Sequence, residues 1–300
     1  MNLEKYLISI LKNDLKGYDS YLVGESILKY ILGKPIEEYL VITSAPLFSF
    51  STAKKKSSNQ IELTKYPKKI LIQLNTTKEE YLQKCQFSYE TLLFHIERGI
   101  IDSMGAILDI QRKVIRSVKL NFDPIQATKI LYLCESFHFQ IEEDIRLRIY
   151  HLPSIQKVID RKQFFKEFQK ILLLDTGIKI LKEYQSFFQA YIPLEEPTLE
   201  VLRYTSTTFI LRLLALLWYR DKNGINLFFS EYGIEDQYFD SVQTVLFYRD
   251  YDLTIKPSKQ LFEQLGKDIF LWLSLKRAEA LSLGQLEKIR LYDEAEKNKN

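Results

Sequence analysis

Residues Tyr21 to Ser44 read YLVGESILKYILGKPIEEYLVITS, and this stretch decides the fold. An apolar run ends at Gly24, a segment with helical spacing follows from Glu25 to Leu32, and Gly33 interrupts it. The next run, Tyr39 to Thr43, is continuously apolar, which is typical of a strand buried on both faces. The order strand, helix, buried strand predicts an α/β unit near the start of the chain.

The rest of the chain predicts two more strands and then helices. Ile61 to Thr64 and Lys69 to Leu74 have the composition of strands, and the pattern is helical from Thr77 onward. The predicted helices cover Lys78 to Gly99, Pro124 to Phe137, Glu142 to His151, Lys157 to Leu174 and Gly177 to Tyr191, with more after Pro197. We therefore expect an α+β protein, with a small α/β head and a short mixed sheet followed by an all-helical part.

Composition excludes several classes of protein. The chain has 300 residues, of which 46% are hydrophobic and 27% charged, as in globular proteins. Cys85 and Cys134 are far apart and the histidines (His95, His138 and His151) lack metal-ligand spacing, so neither a zinc site nor a disulfide framework is indicated. A net charge of +3 permits RNA binding without requiring it.

Two further features predict a cytoplasmic protein. The first residues, MNLEKYLISILKNDLKG, carry charges throughout and are typical of an amphipathic helix, unlike a signal peptide. The most apolar run, Thr208 to Tyr219, contains Arg212 and is too short to span a bilayer. We expect no membrane partner.

Four segments, in the same order, resemble the motifs of class II tRNA nucleotidyltransferases and bacterial poly(A) polymerases. Tyr21 to Ser44 is similar to YLVGGxVRDxLLGRxPxDxDIxTS, with Gly24, Gly33, Thr43 and Ser44 in register. The other three segments are Glu79 to Leu92, similar to EEDLxRRDFTINAL; Gly99 to Val118, similar to GxIDPFGGLxDLxxKxIRxV; and Phe122 to Ile145, similar to EDPLRxLRAxRFAxxLxFxIEExT. The resemblance implies a nucleotidyltransferase-like head at 1–118, a helical neck at 119–195 and a helical body and tail at 196–300.

The chemistry that the resemblance implies depends on two carboxylates. Nucleotidyl transfer is a displacement at phosphorus in which two divalent metals hold the attacking and leaving oxygens. The family's DxD pair places both carboxylates on one face of a strand. Here these positions hold Glu38 and Leu40, and leucine cannot bind a cation that takes oxygen ligands. We expect no catalytic residue and no metal cofactor, with Mg²⁺ required only if the protein is an enzyme that uses Glu38.

Other motif positions are replaced as well. The replacements are Glu25 for a glycine, Leu28-Lys29 for Arg-Asp, Lys84-Cys85-Gln86 for Arg-Arg-Asp, and Gln126 for the base-reading arginine. The resemblance leaves a vestigial nucleotide site composed of Gly24, Lys84, Asp123 and Gln126. A structural interpretation competes with this one, in which Asp123 caps a helix that begins at Pro124 and Arg116 pairs with a carboxylate of the head.

Three carboxylates and one histidine have alternative interpretations. Glu37, Glu38 and Glu62 are candidates to rebuild a metal site, because the strand of Glu62 is expected to neighbour that of Glu38. The alternative is that Glu37 and Glu38 are solvated charges of a turn before a buried strand, since neighbouring residues of a strand point to opposite faces. His95 is expected on a helix, as an interior or boundary residue.

Two basic stretches are candidates for RNA contact. The first is a surface loop with Lys54, Lys55 and Lys56, extended by Lys65, Lys68 and Lys69. The second is a predicted amphipathic helix with Lys157, Arg161, Lys162 and Lys166 outside and phenylalanines inside. The alternative for each stretch is a solvated lysine-rich surface, which is common in such compositions.

These observations predict a degenerate, inactive nucleotidyltransferase-family protein that associates with RNA, with tRNA as one candidate, or with a protein partner. One alternative is a divergent active tRNA CCA-adding or poly(A) polymerase-type enzyme that uses Glu38. Another is a structural subunit of an active paralogue. We expect no DNA partner.

Overall fold

A computed structural model describes residues 4–46, 53–64, 66–156, 158–251, 253 and 259–297. The chain forms two compact units, the first made of residues 1–122 and 138–146 and the second of residues 123–137 and 147–300. The predicted fold class, a mixed sheet in a small head followed by helices, is confirmed. The finer division into 1–118, 119–195 and 196–300 stays a prediction.

The first unit contains a mixed seven-stranded sheet, ordered β3-β4-β5-β2-β1-β6-β7. Its central pair, β2 and β5, is parallel, and the neighbouring strands pair antiparallel. The strands are β1 (Ser20–Val23), β2 (Glu38–Thr43), β3 (Ala53–Lys55), β4 (Gln60–Leu63), β5 (Lys69–Gln73), β6 (Leu93–His95) and β7 (Gly99–Ile101). The strands predicted around residues 21–23, 39–43, 61–64 and 69–74 are therefore present.

Short helices connect these strands. They are α1 (Lys5–Ser9), which continues as a π-helix (Ile10–Asp14), α2 (Glu25–Ile31), α3 (Lys78–Leu82), a 3₁₀ helix (Ser88–Thr91) and α4 (Ala106–Gln111). Strands β8 (Val114–Ile115) and β9 (Gln140–Ile141) form a separate parallel pair. Arg116 donates from Nε to the carboxylate of Asp109 at 3.1 Å, which confirms its predicted pairing within the head.

The helix predicted from Lys78 to Gly99 is wrong. The helix α3 ends at Leu82, and the chain then forms β6 and β7 at the edge of the sheet. The edge of β1 offers unpaired backbone groups, and β6 satisfies them by pairing Leu93 with Val23 and Phe94 with Leu22. His95 therefore lies on a strand, where its ring is 5.4 Å from that of Tyr21.

The second unit is helical. Its elements are α5 (Pro124–Phe137), α6 (Glu143–Ile155, entering from the first unit), α7 (Arg161–Leu172), α8 (Gly177–Glu183), α9 (Gln185–Gln189), α10 (Glu196–Tyr204), α11 (Phe209–Leu217), α12 (Lys222–Tyr232), a 3₁₀ turn (Asp236–Tyr238), α13 (Phe239–Phe247), α14 (Lys259–Leu265), a 3₁₀ turn (Gly266–Asp268), α15 (Ile269–Ser282) and α16 (Leu286–Lys297). Within the described residues, no helix is long and apolar enough to cross a membrane.

Aromatic rings form the core of the second unit. Phe164, Phe165 and Phe168 of α7 are buried, as the spacing predicted. Phe165 packs edge-to-face on Phe228 with ring centroids 5.5 Å apart, an arrangement that aromatic pairs favour. Phe247 of α13 does not belong to this core, because 79% of it is exposed.

Gly177, the first residue of α8, is fixed by a close backbone approach. A Cβ atom added there would lie 2.1 Å from the carbonyl oxygen of Ile171. By contrast, a Cβ at Gly224 in α12 would mainly meet the carboxylate of Asp221 at 2.9 Å, the end of a side chain that can move.

We predict that Gly177→Ala lowers the free energy of unfolding by about 1–3 kcal/mol, the usual range for overpacking, because the backbone of α7 and α8 must separate. Gly224→Ala is the control. Alanine favours a helix by up to about 1 kcal/mol there, which offsets the movement of Asp221. Urea denaturation of both variants measures the difference, and an equal or smaller loss for Gly177→Ala would refute the close approach.

Candidate functional site

The turn between β1 and α2 begins the site. Gly24 has φ 74° and ψ −145°, a conformation that favours glycine. A Cβ atom at Gly24 would meet only the hydroxyl of Tyr81, at an ordinary 3.8 Å. The backbone conformation therefore requires glycine here, while space does not.

A three-residue ionic group joins α2 to the start of β2. The ammonium of Lys29 lies 3.1 Å from the carboxylate of Glu25 and 2.5 Å from that of Glu37. The hydrogen bond from Lys29 holds the pKa of Glu37 below its usual value. Lys29 stands where the family pattern has an aspartate, and Glu25 stands where it has a glycine. The two replacements thus satisfy each other.

The two DxD positions lie on one face of β2, as alternation along a strand requires. Glu38 is opposite Lys69 of β5 in the parallel register, and Leu40 is opposite Leu71. The ammonium of Lys69 donates a hydrogen bond to the carboxylate of Glu38, whose side chain is 45% exposed. A divalent cation at Glu38 would have to displace this lysine and tolerate its positive charge nearby.

Leu40 belongs to an apolar cluster on the same face. The cluster consists of Tyr21, Val23, Ile42 and Leu93, with Leu40, Tyr81, Leu82 and Ile101 packed against it. Tyr81 comes from α3, and burial raises its pKa well above the usual value. In the similarity to EEDLxRRDFTINAL, Tyr81 occupies the position of the aspartate. Hydrocarbon and a neutral phenol therefore cover the surface on which a metal would need oxygen ligands.

A capping box fixes the helix that carries Tyr81. The backbone N–H of Glu80 donates to the hydroxyl of Thr77 at 3.2 Å, and the N–H of Thr77 donates to the carboxylate of Glu80 at 2.9 Å. These bonds satisfy donors that the first turn of α3 would otherwise leave free. The position of Tyr81 against β1 and β2 follows from this helix start.

The Arg-Arg-Asp positions supply one exposed cation. Lys84 is exposed, whereas Cys85 is 3% exposed and its thiol lies 3.5 Å from the carbonyl oxygens of Tyr81 and Glu90. Burial raises the pKa of Cys85 to about 12. The backbone N–H of Gln86 donates to the carboxylate of Glu90 at 2.9 Å. Cys85 and Gln86 therefore stabilise the turn after α3.

Asp123 and Gln126 lie in the second unit and cap α5. The N–H of Gln126 donates to Asp123 Oδ1 at 2.8 Å, and the N–H of Asp123 donates to Gln126 Oε1 at 2.9 Å. The predicted cap at Asp123 is confirmed, with a reciprocal bond that the sequence interpretation did not include. A role of Gly24, Lys84, Asp123 and Gln126 in nucleotide binding stays a prediction.

The donors present do not fit a two-metal site. The expectation that the strand of Glu62 neighbours that of Glu38 is wrong, because β5 lies between β4 and β2. Glu62 pairs instead with Lys56 at 2.5 Å. Within the described residues, no three side chains of His, Cys, Asp or Glu come together as a metal site would require.

The first basic stretch is partly a strand. Lys54 and Lys55 are exposed on β3, at the edge of the sheet, where lysine discourages pairing with another chain. The loop predicted at residues 54–59 therefore begins only after Lys55. Lys56, Lys68 and Lys69 pair with Glu62, Glu4 and Glu38 respectively, and Lys65 lies outside the described residues.

The second basic stretch also contains both paired and exposed cations. Arg161 pairs with Glu231 and lies 5.6 Å from the ring centroid of Tyr232. Lys162 and Lys166 are exposed, and neither has an ion pair with any residue that the structure describes. Lys157 lies outside the described residues. Lys54, Lys55, Lys162 and Lys166 are thus the candidates whose charges remain available to a ligand.

The chain is similar in sequence to tRNA nucleotidyltransferases. It is 26% identical over 141 residues to a CC-adding tRNA nucleotidyltransferase of Shouchella clausii, covering 43% of this chain and 38% of that protein. It is 22% identical over 219 residues to the CCA-adding enzyme of Streptococcus mutans, covering 61% and 53% respectively. The matched segments thus span about half or less of these relatives, and no family profile matches the chain.

Solved structures extend the similarity to the fold. The CCA-adding enzyme of Bacillus stearothermophilus in complex with CTP superposes with a TM-score of 0.71 at 19% identity, covering 95% of this chain and 81% of that one. The fold is that of a class II tRNA nucleotidyltransferase. A tRNA nucleotidyltransferase solved with a primer tRNA and an incoming ATP analogue gives a TM-score of 0.69 at 16% identity, covering 95% and 99%. The resemblance seen in the motifs is thereby confirmed.

The sequence interpretation missed the side chains that lie on the face of β2 with the two DxD positions. Lys69 is recognised only from the parallel register of β2 and β5, which no local pattern contains. Tyr81 was assigned to a long helix, so its packing on β1 and β2 was not expected. The pair Glu25 and Lys29 had a usable signal, since acid and base four residues apart on a helix attract each other.

We predict that Cys85 resists alkylation in the native protein. Alkylation requires the thiolate, and burial raises the pKa of the Cys85 thiol to about 12, well above the value of about 8.5 for an exposed thiol. Iodoacetamide labelling at pH 8.5, followed by peptide mass spectrometry, should be at least about tenfold slower than in urea-unfolded protein. Equal rates in the two states would place Cys85 at the surface and contradict the packing of α3.

Proposed function

We propose that the protein is a non-catalytic RNA-binding protein built on the tRNA nucleotidyltransferase fold, with tRNA as its RNA class. The observation that carries the proposal is the state of the DxD positions: Glu38 is bound to Lys69, and Leu40 lies in the apolar cluster. The proposal covers this chain's own site, because the named relatives extend well beyond the matched segments.

Loss of the second carboxylate removes the two-metal mechanism. A metal pair in such sites is separated by about 3.5–4 Å and needs oxygen ligands on both ions. The nearby surface offers the side chains of Leu40 and Tyr81, of which one is apolar and the other a buried neutral phenol. Without ligands for the second ion, no metal cation stabilises the negative charge that develops on the leaving oxygen in the transition state.

RNA binding is supported by charge and by the fold. Lys54 and Lys55 on β3, and Lys162 and Lys166 on α7, are exposed lysines, of the kind that neutralises phosphates. Solved structures of this fold include one with a primer tRNA. Phosphate contacts of this kind need neither the metal ligands nor the incoming nucleotide, so they can persist on a scaffold that has lost both.

An active enzyme is the second candidate. The named relatives are described as CC-adding and CCA-adding, which favours this alternative, and Glu38 remains half-exposed. In that case Lys69 must release Glu38, a further carboxylate must approach it, and Mg²⁺ becomes the cofactor. A third candidate, a structural subunit of an active paralogue, stays a prediction, as does a cytoplasmic location.

We predict that purified protein does not add nucleotides to tRNA or to oligo(A). Labelled CTP or ATP with Mg²⁺, tested alongside an active CCA-adding enzyme as positive control, should give no extended product. Glu38→Ala should give the same result as the wild type, because no metal is held at Glu38. Extension that requires Mg²⁺ and disappears in Glu38→Ala would overturn the proposal in favour of the enzyme.

We predict that tRNA binding is salt-sensitive and depends on exposed lysines. The logarithm of affinity falls with the logarithm of salt by about 0.7–0.9 per phosphate neutralised. Reversing Lys54 and Lys55 to glutamate should flatten the slope by about one unit per lost contact. Glu38→Ala is the control and should leave the slope unchanged.

Fluorescence titration of tRNA at several salt concentrations measures these slopes. A wild-type protein that does not bind tRNA even at low salt would refute the RNA role. The second unit would then be the place to search for a protein partner.

A further inference from the structure

A pocket of about 400 Å³ opens beside α7 in the second unit. Its volume lies within the range of about 300–1,000 Å³ that is usual for small-ligand sites. The floor is formed by Phe165 and Tyr232, of which 3% and 5% are exposed. The hydroxyl of Tyr232 donates to the carbonyl oxygen of Tyr191 at 2.5 Å, which fixes this ring. The floor is therefore rigid and apolar.

The wall of the pocket carries an aromatic pair. Phe209, at the start of α11, and Tyr238, in the 3₁₀ turn after α12, pack edge-to-face with ring centroids 5.0 Å apart. Both side chains are half-buried, so part of each ring faces the pocket or solvent. Aromatic rings in this state are the usual platforms for unpaired nucleobases.

The rim of the pocket carries positive charge. Lys162 and Lys166 lie one helical turn apart on α7, and both line the pocket. As noted above, neither ammonium has an ion pair among the described residues. Two adjacent free ammonium groups at the mouth of an apolar pocket favour a ligand that joins a phosphate to a flat ring.

Polar groups near the rings complete the lining. Gln169 and Glu235 also line the pocket, so it offers an amide and a carboxylate to the edge of a base. Glu235 accepts a hydrogen bond from Gln237, which leaves further acceptor sites on the carboxylate. The exposed carboxylate of Glu235 disfavours negative charge next to it, and it can accept hydrogen bonds from the exocyclic amino groups of adenine or cytosine.

We propose that this pocket binds one unstacked nucleotide of a single-stranded RNA segment. The base stacks on Phe209 and Tyr238, and the flanking phosphates contact Lys162 and Lys166. The inference rests on the proposed RNA-binding function and adds a specific subsite to it, which belongs to the second unit, whereas the DxD positions belong to the first.

The test uses the full chain and a fluorescein-labelled single-stranded octanucleotide, oligo(A), with an abasic oligonucleotide of equal length for comparison. Tyr238→Ala should weaken binding of oligo(A) by roughly 5- to 100-fold, the usual effect of losing one stacked base. Binding of the abasic oligonucleotide should not change. Tyr238→Phe keeps the ring and should restore the affinity for oligo(A).

Replacing the two lysines should affect binding differently from replacing Tyr238. The double variant Lys162→Ala/Lys166→Ala should weaken both oligonucleotides and reduce the salt slope by about two units, since two phosphate contacts are lost. Lys179→Ala, an exposed lysine of α8 outside the pocket, is the matched control and should have little effect.

The outcomes separate this inference from the proposed function. If the wild type binds tRNA but Tyr238→Ala binds oligo(A) as well as the wild type does, the nucleotide pocket is refuted and RNA binding stands. If the wild type binds no RNA, both are refuted. Binding of a tyrosine-phosphorylated peptide with loss in Lys162→Ala/Lys166→Ala, and no binding of oligo(A), would overturn the inference in favour of a protein ligand.

Discussion

The parallel pairing of β2 with β5 is the constraint on which the first unit depends. It places Lys69 directly beside Glu38 and Leu71 beside Leu40, on the same face of the sheet. Alternation along β2 then fixes that face for both DxD positions. Because β1 pairs on the other side of β2, Val23 is opposite Leu40, and Tyr21 is opposite Ile42. The strand register thus determines which residues lie next to Glu38 and Leu40, whatever rotamers their side chains adopt.

The charged side chains at and next to the DxD positions are satisfied by ion pairs within the first unit. Lys69 neutralises Glu38, and Lys29 bridges Glu25 and Glu37. Tyr81 and Leu82 of α3 pack, together with Leu40, against the apolar cluster of the sheet. Exposed ion pairs of this kind contribute little to stability, about 0–1 kcal/mol each. At the DxD position the ion pair has a further consequence, because it occupies the carboxylate of Glu38.

The sequence predicted the parts of the fold that local patterns encode. The buried runs of β1 and β2 and the helix from Pro124 to Phe137 were recognisable from period and from flanking Gly, Asp and Pro. Strand β6 was assigned to a helix, because its pairing with β1 is set by tertiary structure and overrides a helical pattern. The strand of Glu62 was expected beside that of Glu38, whereas β5 lies between them. The order of strands in a mixed sheet depends on long-range pairing, so no single segment of sequence predicts it. Motif spacing within one segment was enough to find Glu38 and Leu40. Lys69 and Tyr81 come from other segments and reach these positions only through strand pairing and packing, so they were not found.

The central claim of the proposed function is that the face of β2 with Glu38 and Leu40 does not accept a metal-bound nucleotide. Calorimetric titration of CTP and ATP in the presence of Mg²⁺ tests it most directly, with the CCA-adding enzyme of a relative as positive control. We expect no saturable binding up to about 1 mM nucleotide, which corresponds to a binding free energy weaker than about 4 kcal/mol. Saturable, Mg²⁺-dependent binding in the low micromolar range that is lost in Glu38→Ala would contradict the claim.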